Sequence, residues 1–224
     1  MAEKMSESSD KMSRKTKKGD FIELDFSAYT KDGMLFDTTH IEDAKKAGIE
    51  TKDRKFEPFV LCIGEAMLLK SLDKELENKD IGKNYEIALK PEHAFGKRDP
   101  KLIKTVPLSA FTEMPHAGML VNVNGIVAKV VSVTSGRALV DLNNPLAGKE
   151  IIYKFKIKEI VLDNSKKIKA IAKIFGLEVE NVEEKDGKTT VSFKKIAKVS
   201  KNDVELLKKK VLELTKIEIL TKEY

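Results

Sequence analysis

FEPFVLCIGEAMLLKSLDKELENKDIGKNYEIALKPEHAFG, residues 56–96, reads as strand, short helix, turn and strand. Phe59, Leu61 and Ile63 alternate onto one face, as a half-buried strand requires, whereas Leu68, Leu69, Leu72 and Leu76 recur at the spacing of a helix with one apolar stripe. The helix therefore lies across a sheet. Asp80-Ile81-Gly82 signals a turn, and Tyr85, Ile87 and Leu89 alternate again before Pro91 and Gly96 close the segment.

Upstream, Ile22, Leu24, Phe26 and Ala28 alternate with Glu23, Asp25, Ser27 and Tyr29, which predicts a strand with one wet face. Lys31-Asp32-Gly33 turns it back into a returning strand at residues 34–37, because Asp-Gly favours a tight hairpin. Residues 40–48, HIEDAKKAG, read as one or two helical turns closed by Gly48. Residues 1–18 are poor in apolar side chains and rich in Ser, Lys and Glu, so a mobile leader is expected. Downstream, the valine-rich runs MLVNV, IVAKVVSV and ALVDL surround two hairpin signals, Asn124-Gly125 and Ser135-Gly136. They predict a small antiparallel β unit at residues 100–139, entered and left at nearby points like an inserted domain. Ile151, Tyr153, Phe155 and Ile157 then alternate against lysines as one more strand.

The remainder, residues 161–224, reads as α-β-β-α-β. Ile168, Ile171, Ala172 and Phe175 form a helical stripe, strands at 177–182 and 189–193 flank Asp186-Gly187, and Asn202 caps a helix that carries Val204, Leu207, Val211 and Leu214 before a last strand at 217–220. A unit of about 60 residues is marginal alone. No disulfide or metal site is available to staple it, so self-association into a homodimer through this module is expected.

At 224 residues the chain suits two or three modules, and 41% hydrophobic content supports a sizeable core. A single cysteine, Cys62, excludes an internal disulfide framework and reads as a buried, inert thiol. The lack of an 18-residue apolar run and the polar N-terminus point to a soluble, cytoplasmic protein without membrane partners. The net charge of +6 sits at the ends: residues 1–20 carry +2 and residues 161–224 carry +4, leaving the middle neutral. A nucleic-acid partner is therefore not expected, since binding to phosphates concentrates charge in one patch. His40, His93 and His116 are scattered without ligand spacing, and neither a nucleophile triad nor a phosphate-binding loop is present, so no metal or cofactor is expected.

The run PFVLCIGEAMLLKSLDKEL followed by PEHAFG resembles the core of FKBP-type peptidyl-prolyl cis/trans isomerases, and DGMLFDTT (residues 32–39) resembles that family's hairpin. VPLSAF and DLNNPLAG resemble the borders of the insert-in-flap domain of the SlyD-like and long archaeal branch. The resemblance implies an α+β fold: an FKBP-like antiparallel sheet wrapped on a short helix at 19–99 and 140–160, interrupted by the insert at 100–139, with the C-terminal α-β-β-α-β module after it. It also implies a proline pocket lined by Phe26, Phe36, Asp37, Phe59, Leu68, Leu69, Leu72, Phe95, Leu146 and Tyr153. Phe36, Asp37, Leu69 and Phe95 would stand nearest the reaction, with the Leu69 backbone N–H receiving the substrate carbonyl.

Such a pocket suits the chemistry. Rotation about X-Pro meets a barrier of about 18–20 kcal/mol from C–N double-bond character. The twisted amide has lost resonance and is less dipolar than the planar one, so an apolar bowl disfavours the ground state more than the transition state. Asp37 would polarise the rim rather than act as a base. Phe26, Leu72 and Phe95 depart from the Tyr, Trp and Tyr of the best-known members, and the missing phenols keep open a second reading, a binding-only holdase. The partners implied are unfolded or nascent proline-containing polypeptides. In the insert, Leu102, Ile103, Phe111, Met114, Met119 and Leu120 are more apolar than so small a unit can bury, which makes them candidates for holding the client chain.

Overall fold

Gly33 stands at φ +90°, the left-handed backbone a tight turn needs, and it joins β1 (Phe21–Thr30) to the antiparallel β2 (Leu35–Thr38). The register pairs Ala28 with Asp37 and then Tyr29 with Leu35, so Phe36 is the extra residue of a β-bulge. This computed structural model describes residues 14–52, 54–123, 125–194 and 200–222. They fall into two compact units, Met1–Ala88 with Ile152–Tyr224, and Leu89–Ile151. Among the described residues no helix is long and apolar enough to cross a membrane.

In the first unit α1 (Ile41–Lys46) follows the hairpin, and β3 (Phe59–Cys62) pairs antiparallel with β1. α2 (Lys70–Glu75), β4 (Asn84–Leu89) and β9 (Ile151–Ile160) complete it, the sheet running β2-β1-β9-β4 with β3 on β1. α2 is shorter than its leucine stripe. Leu69 is its N-cap at φ −59°, ψ 129°, so only Leu72 and Leu76 bury fully, while Leu68 and Leu69 stay half-exposed in the preceding loop.

β1 does not keep a wet face. Phe21 and Cys62, on the outer side of β1 and β3, are buried in a core built largely by α3 (Asn164–Ile174), β10 (Val179–Lys185), β11 (Lys188–Phe193), α4 (Lys201–Thr215) and β12 (Ile219–Thr221). Ile168, Ile171, Val204, Leu207 and Val211 meet Phe21, Cys62 and Val161 there, so the C-terminal segment shares its core with the sheet. The apolar stripe of Val204, Leu207 and Val211 is thus covered within the chain, while Leu206, Leu212 and Leu220 are exposed. Ser200, not Asn202, is the N-cap of α4, its Oγ accepting from the Asn202 N–H at 3.2 Å. The leader also needs correction at its end. Thr16 is buried, its Oγ1 donating to the Leu76 carbonyl at 2.6 Å and accepting from the Lys79 N–H at 3.0 Å, and Lys15 bridges to Asp80. Residues 1–13 of the expected leader lie outside the described residues.

Burial pushes the Cys62 thiol up to about 12, with the Glu65 and Asp73 carboxylates adding to the effect. The unfolded thiol, near 9.0, loses its proton first. The contribution of Cys62 to stability is therefore whole below that value and is lost as pH climbs toward the folded one. Urea midpoints measured from about pH 8 to about pH 11 should fall more for the wild type than for Cys62→Ala, and the native thiol should resist alkylation at the lower end. Equal falls, or fast native alkylation, would contradict the burial.

The second unit holds β5 (Ile103–Pro107), β6 (Leu120–Val123), β7 (Ile126–Thr134) and β8 (Arg137–Asp141), an antiparallel sheet in the order β5-β8-β7-β6. Ala128, Val130, Ala138 and Val140 are its buried core. β8 runs past residue 139 to Asp141, where it pairs with Ile103. Of the Asn124-Gly125 turn, Asn124 lies outside the described residues, and Gly125 sits at φ +85°.

Candidate functional site

Adjacent strands β1 and β9 place Phe26 and Tyr153 side by side, both buried, with ring centroids 5.9 Å apart and planes inclined at 48°. Phe36 approaches Tyr153 edge-on, 6.4 Å between centroids at 88°. The three rings form a cluster whose third member is set by the bulge in β2. Such edge and tilted contacts are the favoured aromatic geometries.

The backbone beneath Phe26 is fixed by threonines. Thr38 Oγ1 donates to the Phe26 carbonyl at 3.1 Å, the Thr39 N–H donates to the same oxygen at 3.0 Å, and the Phe26 N–H donates to Thr39 Oγ1 at 3.0 Å. Asp37 closes the rim with its carboxylate paired to the Arg54 guanidinium, which also donates to the Thr38 carbonyl at 3.2 Å and lies 5.1 Å from the Phe56 ring centre. Burial, reinforced by the Asp37 carboxylate, holds the Tyr153 phenol above the ordinary tyrosine range, so the hydroxyl stays neutral. A phenol is therefore present in the cluster although Phe26 lacks one.

Leu72 is fully buried and Leu68 and Leu69 are half-buried, in the loop and first turn of α2. Among the described residues the Leu69 amide donates to no protein acceptor, as the leading N–H groups of a helix do not. Phe59 is half-exposed, with the Lys173 ammonium 5.9 Å from its ring centre. Phe95 and Leu146 belong to the second unit, and their segments meet there: the Gly148 N–H donates to the Gly96 carbonyl at 2.7 Å. An open depression lined by Tyr29, Gly33, Met34, Leu35, Asp43, Lys46 and Ala47 shares no residue with the aromatic cluster.

The structure divides the six apolar insert residues. Phe111 and Met119 pack on the insert's own core, because a sheet with only two alanines and two valines fully buried needs larger side chains to cover it. Ile103 is half-buried, whereas Leu102, Met114 and Leu120 are exposed. Sequence reasoning missed Val127 and Val131. The register sets Leu120 opposite Lys129, which places Leu120, Val127, Lys129 and Val131 on one face, with Leu120 65%, Val127 62% and Val131 45% exposed.

Arg54 was also missed. It lies in a segment without periodicity, but the chain has only four arginines, at 14, 54, 98 and 137, in a lysine-rich sequence. Three of them meet an aspartate: Arg14 with Asp20 at 2.8 Å, Arg54 with Asp37, and Arg98 with Asp141. Arginine used against a lysine background was the available signal, since its planar fork suits fixed carboxylate pairs.

An antiparallel sheet thus carries three aromatic rings in contact beside a paired carboxylate, a lining that suits an apolar group. Residues 12–110 match the FKBP-type peptidyl-prolyl cis-trans isomerase family, and residues 104–146 match the family described as the FKBP26 IF domain. The chain is 31% identical over 147 residues to a short-type peptidyl-prolyl cis-trans isomerase of Methanocaldococcus jannaschii, covering 64% of this chain and 93% of that protein. It is 32% identical over 113 residues to SlyD of Aeromonas hydrophila, covering 46% of this chain and 51% of that protein. To SlyD of Escherichia coli K12 it is 22% identical over 147 residues, 63% of this chain and 67% of that one. The chain belongs to the FKBP-type peptidyl-prolyl cis-trans isomerase family.

Proposed function

We propose that this isomerase acts on X-Pro bonds of unfolded or partly folded polypeptides, with the proline received among Phe26, Phe36, Leu72 and Tyr153 and the client chain held by the insert. The observation that carries this reading is the meeting of the Phe26 and Phe36 rings at Tyr153, with Asp37 beside them already paired to Arg54. A proline ring seated there loses water, which raises the planar, more dipolar amide relative to the twisted one. The unengaged Leu69 N–H supports its role as the donor to the substrate carbonyl. No proton needs to move. The exposed Leu120, Val127 and Val131, grouped around Lys129 on one sheet face, support the chaperone part, because apolar side chains on an outer sheet face suit an extended, non-specific chain. Acceleration of a proline-limited refolding reaction by the full chain is the expected result. Suppressed aggregation without acceleration would favour the holdase.

The Asp37–Arg54 pair keeps a charge at the rim without leaving it uncompensated. Asp37→Ala and Arg54→Met should each lower kcat/KM on an X-Pro tetrapeptide by about three- to tenfold, and the double variant should be no worse than the weaker single, as residues acting through one pair behave. Urea stability should hardly change, because both side chains are partly exposed. Additive losses would mean that the two act separately.

A further inference from the structure

Residues 64–69 join β3 to α2 and end in Leu68, which the family resemblance puts in the pocket lining, and Leu69, whose N–H is proposed above to receive the substrate carbonyl. This loop has an uneasy backbone. Gly64 stands at φ +99° and Ala66, which has a Cβ, at φ +50°. A non-glycine residue in the left-handed region persists only where its surroundings hold it.

Two sets of contacts hold it. From α2, the buried Asp73 carboxylate accepts the Gly64 N–H at 2.9 Å and the Ala66 N–H at 3.3 Å through one oxygen, while its other oxygen is buried with no partner among the described residues. That carboxylate is committed to the loop. From the C-terminal segment, Lys210 of α4 reaches Glu65 at 2.7 Å, with the two side chains only 25% and 21% exposed, and Lys210 also meets Glu213 of its own helix at 3.2 Å. Next to it Met67 packs on the core formed by α3, α4 and the C-terminal sheet, its sulfur accepting the Cys62 N–H at 3.2 Å. Of the residues on either side of Ala66, Glu65 is thus held by the C-terminal segment, and Met67 packs on the core which that segment shares with β1 and β3.

We propose that the C-terminal segment positions the reaction site: Lys210 through Glu65, and the C-terminal core through Met67, hold the 64–69 loop so that Leu68 and the Leu69 N–H are presented to the substrate. Lys210 and Glu65 are positioning residues and touch no substrate. The inference rests on the isomerase assignment of Leu69. When only a fraction of the molecules have the loop in place, apparent affinity falls by that fraction. Loss of the brace therefore appears in KM before kcat.

The test uses the full chain, an X-Pro tetrapeptide and amide NMR spectra. Lys210→Met and Glu65→Gln should each raise KM about three- to tenfold with kcat within about twofold, while the exchange Glu65→Lys with Lys210→Glu should recover most of the loss. The Leu68 and Leu69 amide resonances should shift in both single variants and return in the exchange. Unchanged KM and unchanged amide shifts in the single variants would overturn the proposal, as would an exchange variant as impaired as the two losses combined. A wild-type chain inactive on the tetrapeptide would instead overturn the assignment of Leu69, and the amide shifts would still decide whether Lys210 holds the loop.

Discussion

Phe36→Ala is expected to lower kcat/KM on an X-Pro tetrapeptide by about thirty- to hundredfold while the chain stays folded. Phe36 is half-buried at the bulge, where it stands edge-on to Tyr153 rather than inside the core. Its removal opens the bowl. Burying a phenyl side chain is worth about 2–3 kcal/mol, and if the proline covers that ring mostly in the transition state the loss appears in rate at about tenfold per 1.4 kcal/mol. Phe26→Ala is the contrasting variant. Phe26 is buried and its backbone is tied to Thr38 and Thr39, so its truncation should lower urea stability by about 3–5 kcal/mol and confound any kinetic reading. Steady-state kinetics beside a urea titration separate the two effects. Unchanged kcat/KM in a folded Phe36→Ala would remove this residue from the bowl.

Much of the first unit was legible because its signals are local. Asp32-Gly33 specifies a hairpin through backbone conformation, and Leu72 and Leu76 specify the inward side of a helix through spacing. The bulge was not legible, since nothing in LFDT says that Phe36 will be skipped by the register. Nor was the burial of Phe21. Alternation assigns it to the wet side of the sheet, and only the arrival of α3, more than a hundred residues later, covers that side, where Cys62, expected to be buried, lies as well. Period-two reasoning reports which side chains share a face and is silent on what packs against it. The same limit applies in the insert, where Phe111 and Met119 looked surplus because the sequence does not reveal how little the alanines of its sheet fill.

Excision of the insert should separate activity on peptides from activity on proteins. The paired residues Ile103 and Asp141 mark where to cut, and a short Asn-Gly turn in place of residues 104–140 would close them as a hairpin. The neck would survive this. Asp99 and Asn143 exchange hydrogen bonds of 2.8 and 3.0 Å, the Leu142 N–H donates to the Leu102 carbonyl at 3.0 Å, and Asp141 keeps Arg98 and the Asn143 amide, the latter at 2.7 Å. What would be lost is a sheet with a core of its own and the exposed row of Leu120, Val127 and Val131. A tethered binding surface presents its client at an effective concentration of about a millimolar, against a few micromolar for free client, so its removal should slow catalysed refolding of a proline-limited protein by about a hundredfold. Tetrapeptide turnover should stay within about threefold, because a tetrapeptide is too short to engage both surfaces. Full-length Leu120→Ser with Val127→Ser should reproduce most of the protein-substrate defect without shortening the chain. An equal loss on both substrates would show that the insert serves only to support the isomerase fold, and a refolding rate unaffected by either change would remove the insert from client binding.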